Sequence, residues 1–254
     1  MPKVINISQP KNVSMSDDYY EMADISHFWI QWRFNVVIKQ LKPFLSPESK
    51  ILEIGCGNGV VMSQFEKILG YPIDGCDLNQ FATNNLIANV SGNVYLYDIY
   101  DEHIDLLNKY DVIILFDVIE HIQNDSEFLN KALRHLKKNG LLVISVPAHN
   151  FLYSKFDKEV GHIRRYNKSI MSEVLKKTEA QIIKMNYWGL FMYPLVLFRK
   201  YYINLFNKSV SVEKGFKPPN EMINKIMKLI MKFETKSISK PFSGASLMAI
   251  ARKE

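Results

Sequence analysis

Ile51-Leu52-Glu53-Ile54-Gly55-Cys56-Gly57-Asn58-Gly59 is the stretch whose reading decides the fold. An apolar run enters three glycines at alternate positions, and Val60–Leu69 continues with the composition of a helix. Glycines let the backbone turn sharply and leave no side chain between loop and ligand. The helix that follows adds unpaired N–H donors and a positive dipole end. A dinucleotide fingerprint would need another glycine three places after Gly57, where Val60 stands. It would also not call for an acid, Glu53, inside the strand.

Working outward, short apolar strands are expected at 51–56, 72–78, 94–99, 111–116 and 141–147. Helical segments fall between most of them. The segment 125–138 places Phe128, Leu129, Ala132, Leu133 and Leu136 on one helical face, with Gly140 as its expected stop. Such alternation predicts a doubly wound α/β sheet, with ligands bound outside the carboxyl ends of its strands. Upstream, 17–45 reads as helical and aromatic, with Tyr19, Tyr20, Phe28, Trp29, Trp32 and Phe34. Downstream come a long irregular segment (148–167), a helix (169–178), a strand (181–187), an aromatic and basic stretch, and a last strand (243–252).

Bulk properties restrict the class. At 254 residues, 47% hydrophobic and 23% charged, the chain has the composition of a soluble globular protein. Residues 1–12 hold no basic cluster followed by an apolar run, so no signal peptide is expected in them. The longest apolar run, 187–198, contains Pro194 and falls short of the roughly 20 residues of a membrane span. Two cysteines, Cys56 and Cys76, lie at strand ends, so a reduced, cytoplasmic setting is expected. No Cys/His set has metal-ligand spacing, and no metal is expected. The formal charge of +6 is uneven: from Arg199 onward twelve Lys/Arg face four Asp/Glu, while residues 1–198 are near neutral. A basic tail of this kind meets phosphate, anionic lipid or nucleic acid, or is simply a solvated face.

Asp77 and Asp98 end the second and third expected strands, and Phe116-Asp117-Val118-Ile119-Glu120-His121 ends the fourth. With the glycine loop, this set resembles class I methyltransferases that use S-adenosylmethionine (SAM). The 116–121 segment resembles the ubiquinone- and menaquinone-biosynthesis type. The resemblance implies a Rossmann-like, seven-stranded, mostly parallel sheet with helices on both faces. It also implies a SAM site made by Glu53, Gly55, Cys56, Gly57 and Gly59, with Asp77 on the ribose hydroxyls. Asp98, Ile99 and Leu78 would meet the adenine, and the backbone at Phe116 and Asp117 the methionine. His27-Phe28-Trp29-Ile30-Gln31-Trp32-Arg33 is similar to a stretch in related bacterial enzymes, which implies that Arg33 helps hold SAM through its carboxylate.

The resemblance divides the chain into an N-terminal helical lid (1–48), a SAM-binding core (49–187), an inserted helical segment (188–242) and a final core strand (243–254). Two histidines are candidate bases. His121 follows the fourth strand and either takes a proton from the acceptor or only caps a turn. His162 belongs to Gly161-His162-Ile163-Arg164-Arg165-Tyr166, similar to a segment of bacterial methyltransferases associated with surface-polysaccharide and lipid gene neighbourhoods. Trp32, His162, Arg164, Arg165 and Tyr166 are the expected substrate contacts; packing and ion pairing are the alternative. Lys225, Lys228, Lys232 and Lys236 form one helical stripe beside the aromatic stretch Tyr187–Phe206, as in a membrane-surface element, a pocket cover, a dimer contact or the core packing of an inserted subdomain.

The expected activity is methyl transfer to an oxygen of a small, sugar or lipid-like acceptor, yielding S-adenosylhomocysteine. The Asn/Asp-Pro-Pro-Tyr/Phe segment of amino-methylating nucleic-acid enzymes is absent. A tRNA methyltransferase and a non-catalytic SAM-binding regulator are the rival readings.

Overall fold

In a computed structural model of the chain, residues 3–11, 25–87, 89–205, 219–238 and 240–254 are described. Tyr19, Tyr20 and Phe206 lie outside them. The strands are β1 (Val4–Asn6), β2 (Ile51–Ile54), β3 (Asp74–Asp77), β4 (Val94–Leu96), β5 (Tyr110–Phe116), β6 (Leu136–Pro147), β7 (Ala180–Trp188) and β8 (Ser246–Lys253). They form one sheet in the order β1-β4-β3-β2-β5-β6-β8-β7. All pairings from β1 to β6 are parallel, and β8 runs antiparallel between β6 and β7.

The chain leaves β2 toward β3 and β4 on one side, then returns to β5 on the other. This reversal opens a crevice beyond the carboxyl end of β2, where such sheets bind ligands. All four residues of β2 are buried, as expected of a strand covered on both faces. One core, including Leu52, Ile113, Leu129 and Ala249, fills one face of the sheet; a second, including Ile51, Phe65, Val143 and Ile250, fills the other.

The helices are α1 (Phe28–Leu41), α2 (Val60–Leu69), α3 (Gln80–Asn84), α4 (Asp125–His135), α5 (Lys155–Glu159), α6 (Lys168–Leu175), α7 (Tyr193–Leu205) and α8 (Glu221–Ser237). α1 and α8 pack together on the second core. Phe28 N–H donates to Asn224 Oδ1 at 3.0 Å, and Met227 and Met231 are buried there. Buried Glu234 of α8 accepts from the N–H groups of Gly189 (2.8 Å) and Phe191 (3.1 Å), tying the inserted segment to the end of β7.

Two expectations are corrected. The seven strands are joined by an eighth, β1, so the N-terminal segment is not wholly helical. Its three residues pair with Val94–Leu96 at the sheet edge, a run too short to show periodicity. The helix expected over 125–138 ends at His135. Leu136 already pairs with Tyr110, and Gly140 lies in β6 rather than capping a helix. A Cβ on Gly140 would sit 2.9 Å from the Lys137 carbonyl oxygen, so close approach explains the glycine. Among the described residues, no helix is long and apolar enough to cross a membrane.

Candidate functional site

A cleft of about 400 Å³ opens beyond the ends of β2, β3 and β5. The glycine loop forms its floor. Gly55 adopts φ +78°, and a Cβ there would lie 2.6 Å from Val118 Cγ2. The loop is fastened to β3: Gly57 N–H donates to Asp77 Oδ2, and Asn79 N–H to Asp77 Oδ1, both at 2.8 Å. Burial pushes the Asp77 carboxyl up, and the backbone donors oppose that shift. A carboxylate oxygen can accept more than one hydrogen bond, so Asp77 retains capacity for a ligand.

Glu53 lies beside it, 2% exposed. Its Oε2 has no hydrogen-bond partner among the described residues. Desolvation raises its pKa to about 8, with Arg33 opposing and Asp77 adding to the rise. Arg33, from α1, ion-pairs with Asp117 and sits 5.0 Å from the centre of the Phe116 ring. At the far end, Asp98 Oδ1 accepts from Tyr100 N–H at 3.0 Å, and Asp98 Oδ2 pairs with Lys11.

The cleft thus gathers Arg33, Glu53, Gly55, Cys56, Gly57, Asp77, Leu78, Asp98, Ile99, Phe116, Asp117 and His121. Gly59 instead caps α2 with φ 82°, outside the lining. Its volume and its polar groups at both ends fit a nucleoside carrying an amino-acid tail. The orphaned Glu53 oxygen is an acceptor waiting for a cationic donor.

His121 follows β5 in a short 3₁₀ turn, Ile119–His121. Its Nδ1 lies 3.1 Å from the Gly161 carbonyl oxygen. Desolvation, with His162 nearby, lowers its pKa to about 4, so the ring is neutral at pH 7. The His121 and His162 ring centres are 4.9 Å apart. His162 Nδ1 lies 3.1 Å from Asp157 Oδ1. Glu120, fully buried, has both carboxylate oxygens without hydrogen-bond partners among the described residues. Its Oε1 is 3.8 Å from His162 Nε2.

The other expected substrate contacts are engaged elsewhere. Arg165 is buried; its Nε donates to Asp157 at 2.7 Å and its Nη1 to the Ala148 carbonyl at 3.2 Å. Arg164 donates to Asp125 (2.8 Å) and to the Gln123 carbonyl (2.7 Å). Tyr166 is fully buried and donates to Asp125 at 2.9 Å and to Ile119 O at 3.2 Å. Arg164 and Tyr166 fasten the 148–167 segment against the turn that carries Glu120 and His121, and Arg165 ties that segment to itself. Trp32 is fully buried among Trp29 and Trp188, with ring centres 6.1 and 6.3 Å away. Only His162 of the five reaches the neighbourhood of the cleft.

Sequence reasoning missed several lining residues. Ile30 on α1, Val118, Ile122 and Phe128 give the cleft its apolar wall, and Lys11 closes its far end. Lys11 had no signal, because it precedes every motif and pairs with an acid 87 positions away. Glu120 was visible as an acid, but not as a buried one.

A methyltransferase-domain family profile matches residues 29–189. A ubiquinone biosynthesis O-methyltransferase of Rickettsia bellii is 28% identical over 118 residues, covering 44% of this chain and 49% of that protein. The match therefore spans about half the length of this curated relative. A SAM-dependent methyltransferase structure from Archaeoglobus fulgidus aligns over 86% of this chain and 92% of its own at TM-score 0.54 and 15% identity. A Haemonchus contortus phosphoethanolamine N-methyltransferase 2 in complex with SAM aligns over 94% of this chain and 57% of its own at TM-score 0.57 and 17% identity. At such identities the two structures speak to the fold.

Proposed function

The chain belongs to the methyltransferase-domain family and is a SAM-dependent methyltransferase; from that premise we propose that it methylates an oxygen of a small, lipid-like acceptor. The observation that carries this reading is the lining of the cleft, which includes apolar Ile30, Val118 and Ile122 together with the neutral His121. An apolar wall with one polar corner suits a hydrophobic ring or chain bearing a hydroxyl. When bound, SAM supplies a methyl group on a sulfonium centre that already has a good leaving group. The chain must therefore mainly orient the acceptor and exclude water.

The residues divide that work. The loop backbone at Gly55 and Gly57 would approach SAM closely. Asp77 would accept from the ribose hydroxyls, and Asp98 from the adenine amine once Lys11 yields. Glu53 would accept from the ammonium of the methionine end, and Arg33 would meet its carboxylate in competition with Asp117. His121 would hold the acceptor hydroxyl. The oxygen acceptor draws further support from the likeness to the ubiquinone biosynthesis O-methyltransferase of Rickettsia bellii.

The lipid-like character draws support from the surface. Leu195, Phe198 and Leu205 of α7 and Met222, Leu229 and Phe233 of α8 are exposed, each at 50% or more. Lysines 225, 232 and 236 are exposed on the same α8. Apolar side chains with lysines around them are the composition of a surface that rests on anionic lipid.

Calorimetric titration with SAM and S-adenosylhomocysteine tests the site, beside an Asp77→Ala variant. Micromolar binding that the variant loses supports it. Screening phenolic and hydroxylated lipid acceptors with labelled SAM then tests the acceptor class; label appearing only on amine acceptors would overturn the oxygen assignment.

A further inference from the structure

We propose that Glu120, His121 and His162 form a binding site for a divalent transition-metal ion at the acceptor end of the cleft. One ligand atom from each of the three lies within 4.8 Å of the others. Nothing in the linear sequence announces the set, since His162 comes 41 positions after His121. The 148–167 segment folds back and brings them together.

The hydrogen bonds around the two rings fix which nitrogen each presents. The Gly161 carbonyl can only accept, so His121 Nδ1 carries the proton in their 3.1 Å hydrogen bond. Asp157 holds His162 Nδ1 at 3.1 Å, and Arg165 at 2.7 Å keeps that carboxylate ionised and in place. His162 Nδ1 is therefore also the protonated nitrogen. Nε2 is then the nitrogen through which each ring can meet a metal ion. A carboxylate or carbonyl behind Nδ1, with Nε2 forward, is the arrangement that orients and strengthens histidine ligands.

Glu120 is the second, independent observation. Its carboxylate is 0% exposed and neither oxygen has a hydrogen-bond partner among the described residues. A buried carboxylate left so is costly. Its Oε1 faces His162 Nε2 across 3.8 Å, too long for a hydrogen bond. Burial, with Asp117 next, pushes the Glu120 carboxyl well above its ordinary range, so a metal ion would enter here by displacing a proton from it. Two imidazoles and one carboxylate suit zinc, iron, cobalt or manganese better than calcium or magnesium, which favour all-oxygen sites. Ligands on a zinc-sized ion stand roughly 3–3.5 Å apart, so binding would draw these side chains inward by about 1 Å or less.

Three protein ligands leave coordination positions open, and His121 lines the cleft, so those positions face the acceptor. With the ion bound, the acceptor hydroxyl would sit on the ion in place of a direct contact with His121, and there it would ionise more readily and be held in line for transfer. This role rests on the methyltransferase reading; the site itself does not.

The probe is Co²⁺, added to the full chain after removal of metals with EDTA. The wild type is expected to take up a single equivalent with visible d–d absorption, and Zn²⁺ should displace it. His162→Asn and Glu120→Gln, which each remove a ligand, should weaken uptake by at least the roughly 10–100-fold typical of losing a group that only braces a ligand. His103→Gln, which removes an imidazole away from the cleft, should change nothing. Zn²⁺ should raise the Tm of the wild type and not that of Glu120→Gln. S-adenosylhomocysteine titration of the same proteins reads the cofactor site separately. Loss of that binding alone counts against the cofactor assignments and not against the metal. The proposal is overturned if the wild type takes up no Co²⁺ or Zn²⁺, or if Glu120→Gln and His162→Asn take up as much as the wild type.

Discussion

Asp77 and Glu53 show how one cleft sets two carboxylates to different tasks. Asp77 already holds two backbone N–H groups, so Asp77→Asn, which exchanges one acceptor oxygen for a donor, should weaken S-adenosylhomocysteine binding by at least about 10-fold, or ~1.4 kcal/mol. Calorimetry would measure it. Glu53, with a pKa near 8, is largely protonated at pH 7 before any ligand arrives. A cationic ammonium against it favours the ionised form, so SAM binding at pH 7 should release a proton. Binding enthalpies in buffers of different ionisation enthalpy would show this, and Glu53→Gln should abolish it. The same group affects stability. The native state holds the Glu53 proton more tightly than the unfolded chain, so this group costs nothing below pH ~4. It lowers stability progressively as pH rises from ~4.5 toward 8. Glu53→Gln should therefore stabilise the ligand-free protein at pH 9, by on the order of a few kcal/mol in urea unfolding. At this scale the sequence showed the acids and glycines, because strand ends and motif order announce them. It did not show that Glu53 and Glu120 are orphaned, since burial of a polar atom depends on what the fold brings over it.

At the scale of elements, the turn after β2 and the segment after β6 are where local chemistry governs the site. Gly55→Ala places a Cβ at φ +78° against Val118 Cγ2, 2.6 Å away. The strained φ alone costs about 1–2 kcal/mol. Since Val118 precedes the turn holding Glu120 and His121, the variant should lose cofactor binding well before it loses helicity by circular dichroism. In the 148–167 segment, Arg165→Met would leave Asp157, 0% exposed, without its buried cationic partner. A destabilisation of about 3 kcal/mol is expected in chemical unfolding. The core strands were legible because buried parallel strands are nearly continuous apolar runs. The Arg164-Arg165-Tyr166 cluster was legible as important but not in its role. Sequence spacing shows which residues alternate; it does not show Asp125 and Asp157 waiting to pair with them.

At the scale of the whole molecule, the near-neutral core and the basic carboxyl-terminal third are different surfaces. With lysines of α8 beside exposed apolar side chains, the chain should sediment with vesicles rich in anionic lipid and not with neutral ones. Reversing Lys225, Lys232 and Lys236 to Glu should reduce that binding by several kcal/mol at low salt, at roughly 1 kcal/mol per charge. The wild type should also detach as salt rises. The net charge announced a basic surface. It could not announce that α8 spends its other side on α1, with Met227 and Met231 buried there.

The pair between Lys11 and Asp98 makes adenine entry an exchange rather than an addition. An incoming amine must replace a full ammonium on the same carboxylate, and the displaced lysine, 60% exposed, is then solvated. Ions in the buffer screen the departing charge more than the arriving neutral group. Uncharged adenosine should therefore gain affinity as ionic strength rises, against the usual trend for polar sites, and Lys11→Met should flatten that dependence. The short edge strand that carries Lys11 to the cleft thus makes the protein responsive to salt at a contact where its ligand bears no charge.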